Sequence, residues 1–217
     1  MWGSLSIPAP DPHVIFLLMD FFENDIEQAF ERSFERVFST ETLKGSQVTL
    51  VGLRESDASA AYDLVESSRN HLRMHLPWID GTFPGDVCRR VRGWVLEEKL
   101  SQGGCWSVRE GGELGAIAGF IMLEVRMSNH SAVISYWLGE KYTGRGLMTD
   151  ALDTLSMFCF QSLRLNRLEL FISVENEKSA ALARRCGFKE EGVNRDFELK
   201  NGVFSDCWCF SKLARDV

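Results

Sequence analysis

The sequence predicts one mixed α/β domain behind an N-terminal helical extension, and three observations support this fold class. The chain has 217 residues, a length that suits one large domain. From about residue 46, short apolar runs alternate with stretches that have helical spacing. Glycine-containing pairs at 111–112 and 201–202 separate neighbouring apolar runs, as the turns of β-hairpins do. We therefore predict two parts, residues 1–45 as the extension and residues 46–217 as the domain.

Composition and charge limit the classes of function. Apolar residues make up 45% and charged residues 25% of the chain, as in ordinary soluble globular proteins. The net charge of −7 disfavours a general nucleic-acid surface, which needs clustered Lys and Arg, and favours a basic substrate. The apolar run at 14–19 is too short for a signal core or a membrane span, so we expect no membrane contact. Six cysteines without a Cys-x-x-Cys pair predict reduced thiols and a cytoplasmic protein.

The extension carries a proline-rich segment and then an apolar stripe. Prolines at 8, 10 and 12 fix the backbone angle φ and predict a loop. Large apolar residues then recur every four positions, which predicts one face of an amphipathic helix: Phe22, Ile26, Phe30 and Phe34. An exposed stripe of this kind favours aggregation, so we expect it to pack on the domain or at a homodimer interface.

The first half of the domain is predicted to contain four strands and two helices. Residues 48–53 have the apolar content of a strand, and Ser56 or Asp57 is placed to cap the helix that follows. A second helix is predicted at about 85–100. The next three strands are predicted at 106–109, 113–125 and 131–139.

The second half is predicted to add two helices, one strand and a hairpin. Apolar residues between Met148 and Cys159 follow the spacing of a helix. A strand at 167–174 precedes a helix at 177–186, which Gly187 ends as a left-handed cap. The last two strands form a hairpin that turns at residues 201–202.

The segment EKYTGRGLMTDAL, residues 140–152, places two glycines at a strand-to-helix turn. Gly144 and Gly146 let the main chain approach a ligand closely, and the helix start supplies unpaired amides and a positive dipole end. This combination binds phosphate-bearing groups. The segment lacks the Lys-Ser/Thr of a Walker loop, and Thr149 occupies the third glycine position of a dinucleotide fingerprint. The residues thus fit a phosphate-binding turn of another class, or a tight connection without a ligand.

Two segments together resemble a known family. SYWLGEKYTGRGLM at 135–148 and NEKSAALARRCGF at 176–188 resemble the two cofactor-binding motifs of the GNAT N-acetyltransferases. With LPW at 76–78, they look most like the branch of ribosomal-protein serine and alanine N-terminal acetyltransferases. The resemblance covers about residues 46–217. It implies the GNAT fold, a mixed and mostly antiparallel splayed sheet flanked by helices, with acetyl-CoA as co-substrate and no metal.

The resemblance also implies a set of cofactor-binding residues. The family's pyrophosphate loop falls on 141–146, with Lys141 in place of the usual Gln or Arg. The diphosphate would then meet the main chain of Thr143, Gly144, Arg145, Gly146, Leu147 and Met148. The strand that pairs with pantetheine falls on Trp137, Leu138 and Gly139. Asn176 matches the side chain that holds the pantetheine arm, although it is equally placed to cap a helix.

Acyl transfer to an amine needs three groups, and the resemblance implies a candidate for each. The ammonium must lose a proton, the thioester oxygen must be stabilised, and the leaving sulfur needs a hydrogen bond. The implied groups are Glu198 as base, the Leu138 amide as oxyanion donor, and Ser179 as donor to the cofactor sulfur. Without the resemblance, Glu198 fits a solvated hairpin residue and Ser179 a first-turn residue bonded to its own backbone.

Other residues narrow the substrate class. Ala183 stands where many GNAT enzymes, polyamine acetyltransferases among them, carry a tyrosine acid, which disfavours a polyamine substrate. His71 and His75 suit a metal pair by their spacing, but the sequence supplies no third ligand. We therefore predict an acetyl-CoA-dependent N-acetyltransferase whose acceptor is a protein N-terminal α-amine, with an unperturbed pKa of about 8. A small-molecule amine acceptor and a non-catalytic acyl-CoA sensor are the alternatives.

Overall fold

A computed structural model describes residues 42–76, 79, 83, 85–86, 89, 91, 103–200 and 202–217 of the chain. The predicted apolar stripe at 22–34 and most of the helix predicted at 85–100 lie outside these described residues, and the boundary of the extension stays a prediction. Within the described part of the chain, no helix is long and apolar enough to span a membrane.

In the residues that the structure describes, eight strands form one open, mixed sheet. The strands are β1 (Leu43–Lys44), β2 (Val48–Gly52), β3 (Gly103–Glu110), β4 (Ala116–Arg126), β5 (Ser131–Leu138), β6 (Arg167–Ser173), β7 (Lys189–Lys200) and β8 (Val203–Leu213). Their order across the sheet is β1-β2-β3-β4-β5-β6-β8-β7. Every neighbouring pair is antiparallel except β5 and β6, which are parallel. The strands predicted from the apolar runs are thereby confirmed.

Four α-helices have both ends in the described part of the chain: α1 (Ala58–Ser67), α2 (Arg69–Leu72), α3 (Leu147–Gln161) and α4 (Glu177–Arg185). Of the two caps predicted for α1, Ser56 or Asp57, Asp57 occupies the N-cap position, but its side chain makes no capping hydrogen bond to the helix. Its carboxylate instead accepts the Arg54 amide at 3.1 Å and an Arg109 guanidinium hydrogen bond at 2.7 Å. This mostly buried ion pair ties the start of α1 to β3. The predicted cap of α4 is confirmed, since Gly187 has a φ of 79°.

Strands β5 and β6 diverge near the middle of the sheet. They pair only where Ser131, Ala132 and Val133 lie opposite residues 167–169. Strand β5 stays paired with β4 as far as Leu138, and β6 stays paired with β8 along its whole length. The β6-facing edge of β5 is therefore open from residue 134 to residue 138, which confirms the splayed sheet.

Packing fixes the start of α3 beside this opening. The apolar face predicted for the helix is buried: Met148, Ala151, Leu152, Leu155, Phe158 and Cys159. Asp150 in its first turn accepts the amides of Ser46, Gln47 and Val48 at 2.7–3.0 Å. A Cβ on Gly45 would clash with the Asp150 carboxylate, which these hydrogen bonds hold in place, so glycine lets the turn approach the helix closely. The β1–β2 turn thus holds the N-terminus of α3 in place.

Candidate active site

The glycine-bounded turn before α3 has the geometry of an anion site. Gly144 and Gly146 have φ values of 71° and 79°, in the left-handed region that glycine adopts without strain. The first helical bond runs from the Asp150 amide to the Gly146 carbonyl, so the amides of Leu147, Met148 and Thr149 have no helical partner. Among the described residues, no side chain caps this end of α3. The turn therefore presents free donors and the positive end of the helix dipole.

A cavity of about 580 Å³ joins this turn to the open edge of β5. It is lined by most of the predicted cofactor residues, namely Trp137, Leu138, Thr143, Gly144, Arg145, Gly146, Leu147, Met148, Asn176 and Ser179. The predicted residue that does not line it is Gly139. A Cβ there would lie 2.4 Å from a Leu64 methyl carbon, so this glycine allows β5 to pack against α1.

The Leu138 amide is on the open side of β5. Gly139 donates its amide to the Ala118 carbonyl of β4 at 2.9 Å. Leu138 lies opposite Gly119, and successive residues of a strand point their amides to opposite sides. The Leu138 amide therefore points away from β4, towards the gap, where a bound acyl group could accept its hydrogen bond.

Ser179 and Asn176 occupy the first turn of α4, across the cavity from that edge. Asn176 caps the helix, because its Oδ1 accepts the Ser179 amide at 3.2 Å. Asn176 also lines the cavity, so the cap does not exclude a contact with a ligand. Ser179 does not bond its own backbone through its side chain as one interpretation expected; its Oγ lies 2.8 Å from the Tyr136 hydroxyl oxygen.

Tyr136 was missed by the sequence analysis. It lies on β5 at the open edge and lines the cavity with Ser179. Burial raises the pKa of its hydroxyl to about 12, although the Ser179 hydrogen bond acts in the opposite direction. Strand alternation alone would have placed residue 136 on the same side as Leu138. Its partner on α4 could not be foreseen, because the distance between two separate elements is not written in either segment.

The predicted base, Glu198, lies outside the lining of this cavity. Its carboxylate is 3.1 Å from the Lys200 ammonium and 4.0 Å from the Cys207 sulfur. The pairing of β7 with β8 is irregular between Asn194 and Glu198. Such bulges change the direction of the side chains that follow, so the face occupied by Glu198 could not be read from simple alternation.

Two histidines form another part of the cavity wall. His71 and His75 line the cavity, although the sequence analysis considered them only as a metal pair. In the described residues, no group of three potential ligands could hold a metal ion. Burial lowers the pKa of His75, and the charges of Lys200, His71 and Lys178 lower it further, so the ring is neutral at neutral pH. Because Lys200 lowers the pKa of His75 and also pairs with Glu198, both residues lie near its ammonium group.

Basic side chains surround the cavity of this acidic protein. Lys178 and Arg185 of α4 line it, and so does Arg145 of the glycine turn. Arg145 forms an ion pair with Glu110 at the end of β3. The local positive charge suits a ligand with several phosphates. The open strand edge, the free amides and these cations together fit a coenzyme A thioester.

A splayed sheet with a phosphate-binding turn at its opening defines an acyltransferase of the GNAT class. The chain belongs to this family: a model described as an acetyltransferase (GNAT) domain matches residues 47–189. The protein is accordingly an acyltransferase that transfers acetyl groups. The family membership agrees with the fold and with the resemblance carried by the two motifs.

Named relatives extend along most of the chain. The ribosomal-protein-serine acetyltransferase of Escherichia coli is 27% identical over 176 residues, which are 80% of this chain and 97% of that protein. A structure of RimL, a ribosomal L7/L12 α-N-protein acetyltransferase, in complex with coenzyme A has a TM-score of 0.74. It is 25% identical and covers 80% of this chain and 98% of its own.

The microcin C7 self-immunity acetyltransferase MccE, in complex with acetyl-CoA and AMP, is also similar. It has a TM-score of 0.72 at 25% identity and covers 77% of this chain and 93% of its own. These neighbours bind acetyl-CoA or coenzyme A, which supports acetyl-CoA as the co-substrate of this chain. The chain is thus related to ribosomal-protein acetyltransferases.

Proposed function

We propose that the protein transfers the acetyl group of acetyl-CoA to the N-terminal α-amine of a protein, with a ribosomal protein as the preferred acceptor. The observation that carries the proposal is one cavity that joins the free amides before α3, the open edge of β5 and Ser179. The E. coli relative that acts on a ribosomal protein matches 80% of the chain, which supports the choice of acceptor.

Main-chain groups would hold the cofactor. The diphosphate would bind main-chain amides of residues 144–148, whereas the Thr143 amide already donates to the Glu140 carbonyl at 3.1 Å. The pantetheine arm would extend the sheet along the open edge of β5. This arrangement places the thioester carbonyl near the Leu138 amide, which would stabilise the oxyanion as the amine attacks. A donor of this kind costs no reorganisation, because the strand already fixes its direction.

Transfer would be direct, within a ternary complex and without an acyl-enzyme. The nitrogen of the neutral amine forms a bond to the carbonyl carbon, and the carbon–sulfur bond then breaks. The sulfur keeps the electron pair and receives a hydrogen bond from Ser179. The proton that the attacking nitrogen loses as it becomes an amide passes to water, so the products are the acetylated amine, the thiolate and one released proton. A serine hydroxyl is a poor formal acid, so it would stabilise the thiolate without giving up its proton.

Glu198 would accept the proton of the ammonium group. Because the carboxylate lies outside the cavity lining, it would act from the rim where the acceptor enters. Lys200, whose ammonium lies 3.1 Å from the Glu198 carboxylate, also lowers the pKa of His75, so Glu198 would act near the two histidines. An α-amine suits this arrangement, because its unperturbed pKa of about 8 leaves it far easier to deprotonate than lysine, at about 10.4.

Mass spectrometry of protein N-termini in cells with and without the gene tests this proposal. We expect acetylation to disappear from a small set of N-termini when the gene is deleted and to return when it is restored. Restoration with Gly146→Asp is the matched control and should fail. An unchanged set of N-termini, with acetylation lost from free small amines instead, would contradict the protein acceptor and favour the small-molecule alternative.

A further inference from the structure

Two hydroxyl groups from different elements meet in the cavity. Tyr136 projects from the open edge of β5, and Ser179 projects from the first turn of α4. Their oxygens are 2.8 Å apart, a normal distance for a hydrogen bond between hydroxyls. Both residues line the cavity and are partly buried. The contact therefore joins the strand that would carry pantetheine to the helix that would face its sulfur.

The rest of the helix start is satisfied without either hydroxyl. The Ser179 amide bonds the Asn176 side chain at 3.2 Å and the Asn176 carbonyl at 3.1 Å. Tyr136 is held by β4, where Ile121 lies opposite it. The Tyr136–Ser179 hydrogen bond is thus not needed to cap α4 or to pair β5, which leaves it available for a role at the ligand.

The number of protons decides what the pair can do. Each hydroxyl has one proton to donate and two lone pairs to accept. If Ser179 donated to Tyr136, its proton would be engaged and none would remain for a sulfur atom. If Tyr136 donates instead, the serine proton is free to turn towards the cavity.

We propose that Tyr136 is a positioning residue, which donates its hydroxyl proton to Ser179 Oγ and so directs the serine proton to the leaving sulfur. This inference rests on the proposed acetyl transfer and deepens it. The polarised serine is a stronger donor than an isolated one, because linked hydrogen bonds reinforce one another.

No proton leaves the tyrosine in this step. The ammonium proton goes to the base before attack, and the second proton of the attacking nitrogen passes to water as the amide forms. When the carbon–sulfur bond breaks, the electron pair and the negative charge go to sulfur. Burial raises the pKa of Tyr136 to about 12. A free thiol has a pKa of about 8.5, so a thiolate cannot deprotonate this phenol. Tyr136 and Ser179 therefore act as a chain of hydrogen-bond donors.

The thiol of bound coenzyme A reports this chain directly and requires no acceptor. With CoA labelled at the carbon bonded to sulfur, NMR over a range of pH measures the pKa of the bound thiol. Tyr136→Phe should raise that pKa by about one unit, the equivalent of one ordinary hydrogen bond. Tyr62→Phe removes a hydroxyl from α1 outside the cavity and should leave it unchanged. An unaltered thiol pKa in Tyr136→Phe would overturn the proposal.

A second variant keeps the test decisive if Tyr136→Phe folds poorly. Fluorotyrosine at position 136 keeps the hydroxyl and makes it a stronger donor. It should lower the pKa of the bound thiol below that of the wild type. A higher or unchanged pKa of the bound thiol would contradict a donor role. No change is the result expected of a residue needed only for packing.

Kinetics provide the second readout. With an Ala-starting peptide, Tyr136→Phe should lower kcat about tenfold while the KM for acetyl-CoA stays the same. The loss should persist at high pH, because it concerns the sulfur and not the amine. In the background of Ser179→Ala, the same change should cost nothing further. Independent, multiplicative losses would refute the chain, whereas failure to acetylate any peptide would count against the proposed acceptor and leave the thiol titration to decide.

Discussion

The two halves of the cavity are built in different ways. The half that we propose for the cofactor is a continuous segment, residues 143–149. Its features belong to the main chain, namely two glycines with positive φ and the three amides of residues 147–149, which have no helical partner. The half that we propose for the acceptor consists of side chains from separate elements, among them His71, His75 and Lys178. The β7–β8 hairpin adds Glu198 and Lys200 near this half.

This difference separates the binding of the donor from the choice of the acceptor. Main-chain recognition depends on backbone shape, so few substitutions other than those at the glycines should disturb it. Side-chain recognition changes with each substitution, and it can vary without loss of cofactor binding. Variants of the two halves should therefore show distinct kinetic defects.

The largest effect is expected in the cofactor half. Gly146→Asp should abolish acetyl-CoA binding, because it forces a side chain into the left-handed region and sets a carboxylate against the diphosphate. Calorimetry measures the affinity, and circular dichroism verifies the fold. Gly111→Asp introduces the same strain and charge in an open turn with a φ of 85° and should bind normally. Equal affinity in both variants would remove the diphosphate site from this turn.

A large but different defect is expected for Glu198→Gln. The amide cannot accept a proton, so turnover at neutral pH should fall by ~10²–10⁴-fold while the acetyl-CoA affinity remains unchanged. The deficit should shrink as the pH approaches the pKa of the acceptor, because more amine then arrives neutral. The matched control is Glu190→Gln. Glu190 lies at the other end of β7, and its substitution removes an ion pair with Arg184 of α4. Full activity of Glu198→Gln would exclude this carboxylate as the base.

A moderate effect on stability is expected at the support of α3. Asp150→Asn replaces an acceptor of three amides with a group that is partly a donor, so the free energy of unfolding should fall by ~1–3 kcal/mol. Burial opposes ionisation of Asp150, but the hydrogen bonds from Gln47, Ser46 and Val48 prevail and lower its pKa.

A group with a lowered folded pKa stabilises the fold above its unfolded pKa, here about 3.9. The stability gap between wild type and Asp150→Asn should thus be complete at neutral pH and close as the pH falls below that value. Urea unfolding at several pH values measures it. A gap that is independent of pH would show that the charge has no role in holding the turn.

The smallest effect is expected for the pKa of His75, in the half of the cavity that we propose for the acceptor. Burial and then Lys200 lower the pKa of His75, so NMR should find it below the ordinary value of about 6.5. Lys200→Met should move the pKa of His75 upward, and Lys44→Met at the far edge of the sheet should not. Because the folded pKa is lowered, His75 should favour folding above about pH 6.5 and less so as the pH falls. An unchanged pKa of His75 in Lys200→Met would show that the hairpin does not affect the two histidines of the cavity.

The same contrast explains what the sequence could predict. The strands, α3 and the turn at 143–149 follow from local patterns, and the structure confirms them. The Tyr136–Ser179 contact depends on the distance between β5 and α4, which no local pattern contains. The sequence predicted a capping role for Asp57. It could not predict the ion pair with Arg109, because that residue is distant in the sequence. The direction of Glu198 depends on a bulge, which shifts the alternation of side chains.

The central claim is that one cavity brings acetyl-CoA to an N-terminal α-amine. The most direct measurement is an acetylation assay of purified protein with Ala- and Ser-starting peptides that also contain an internal lysine, analysed by tandem mass spectrometry. Peptides with a blocked N-terminus and a panel of small amines serve as competitors. We predict acetyl groups on the free N-terminal nitrogen, with the lysine and the small amines left unmodified. Acetylation of small amines alone, or acetyl-CoA binding without any product, would contradict the claim.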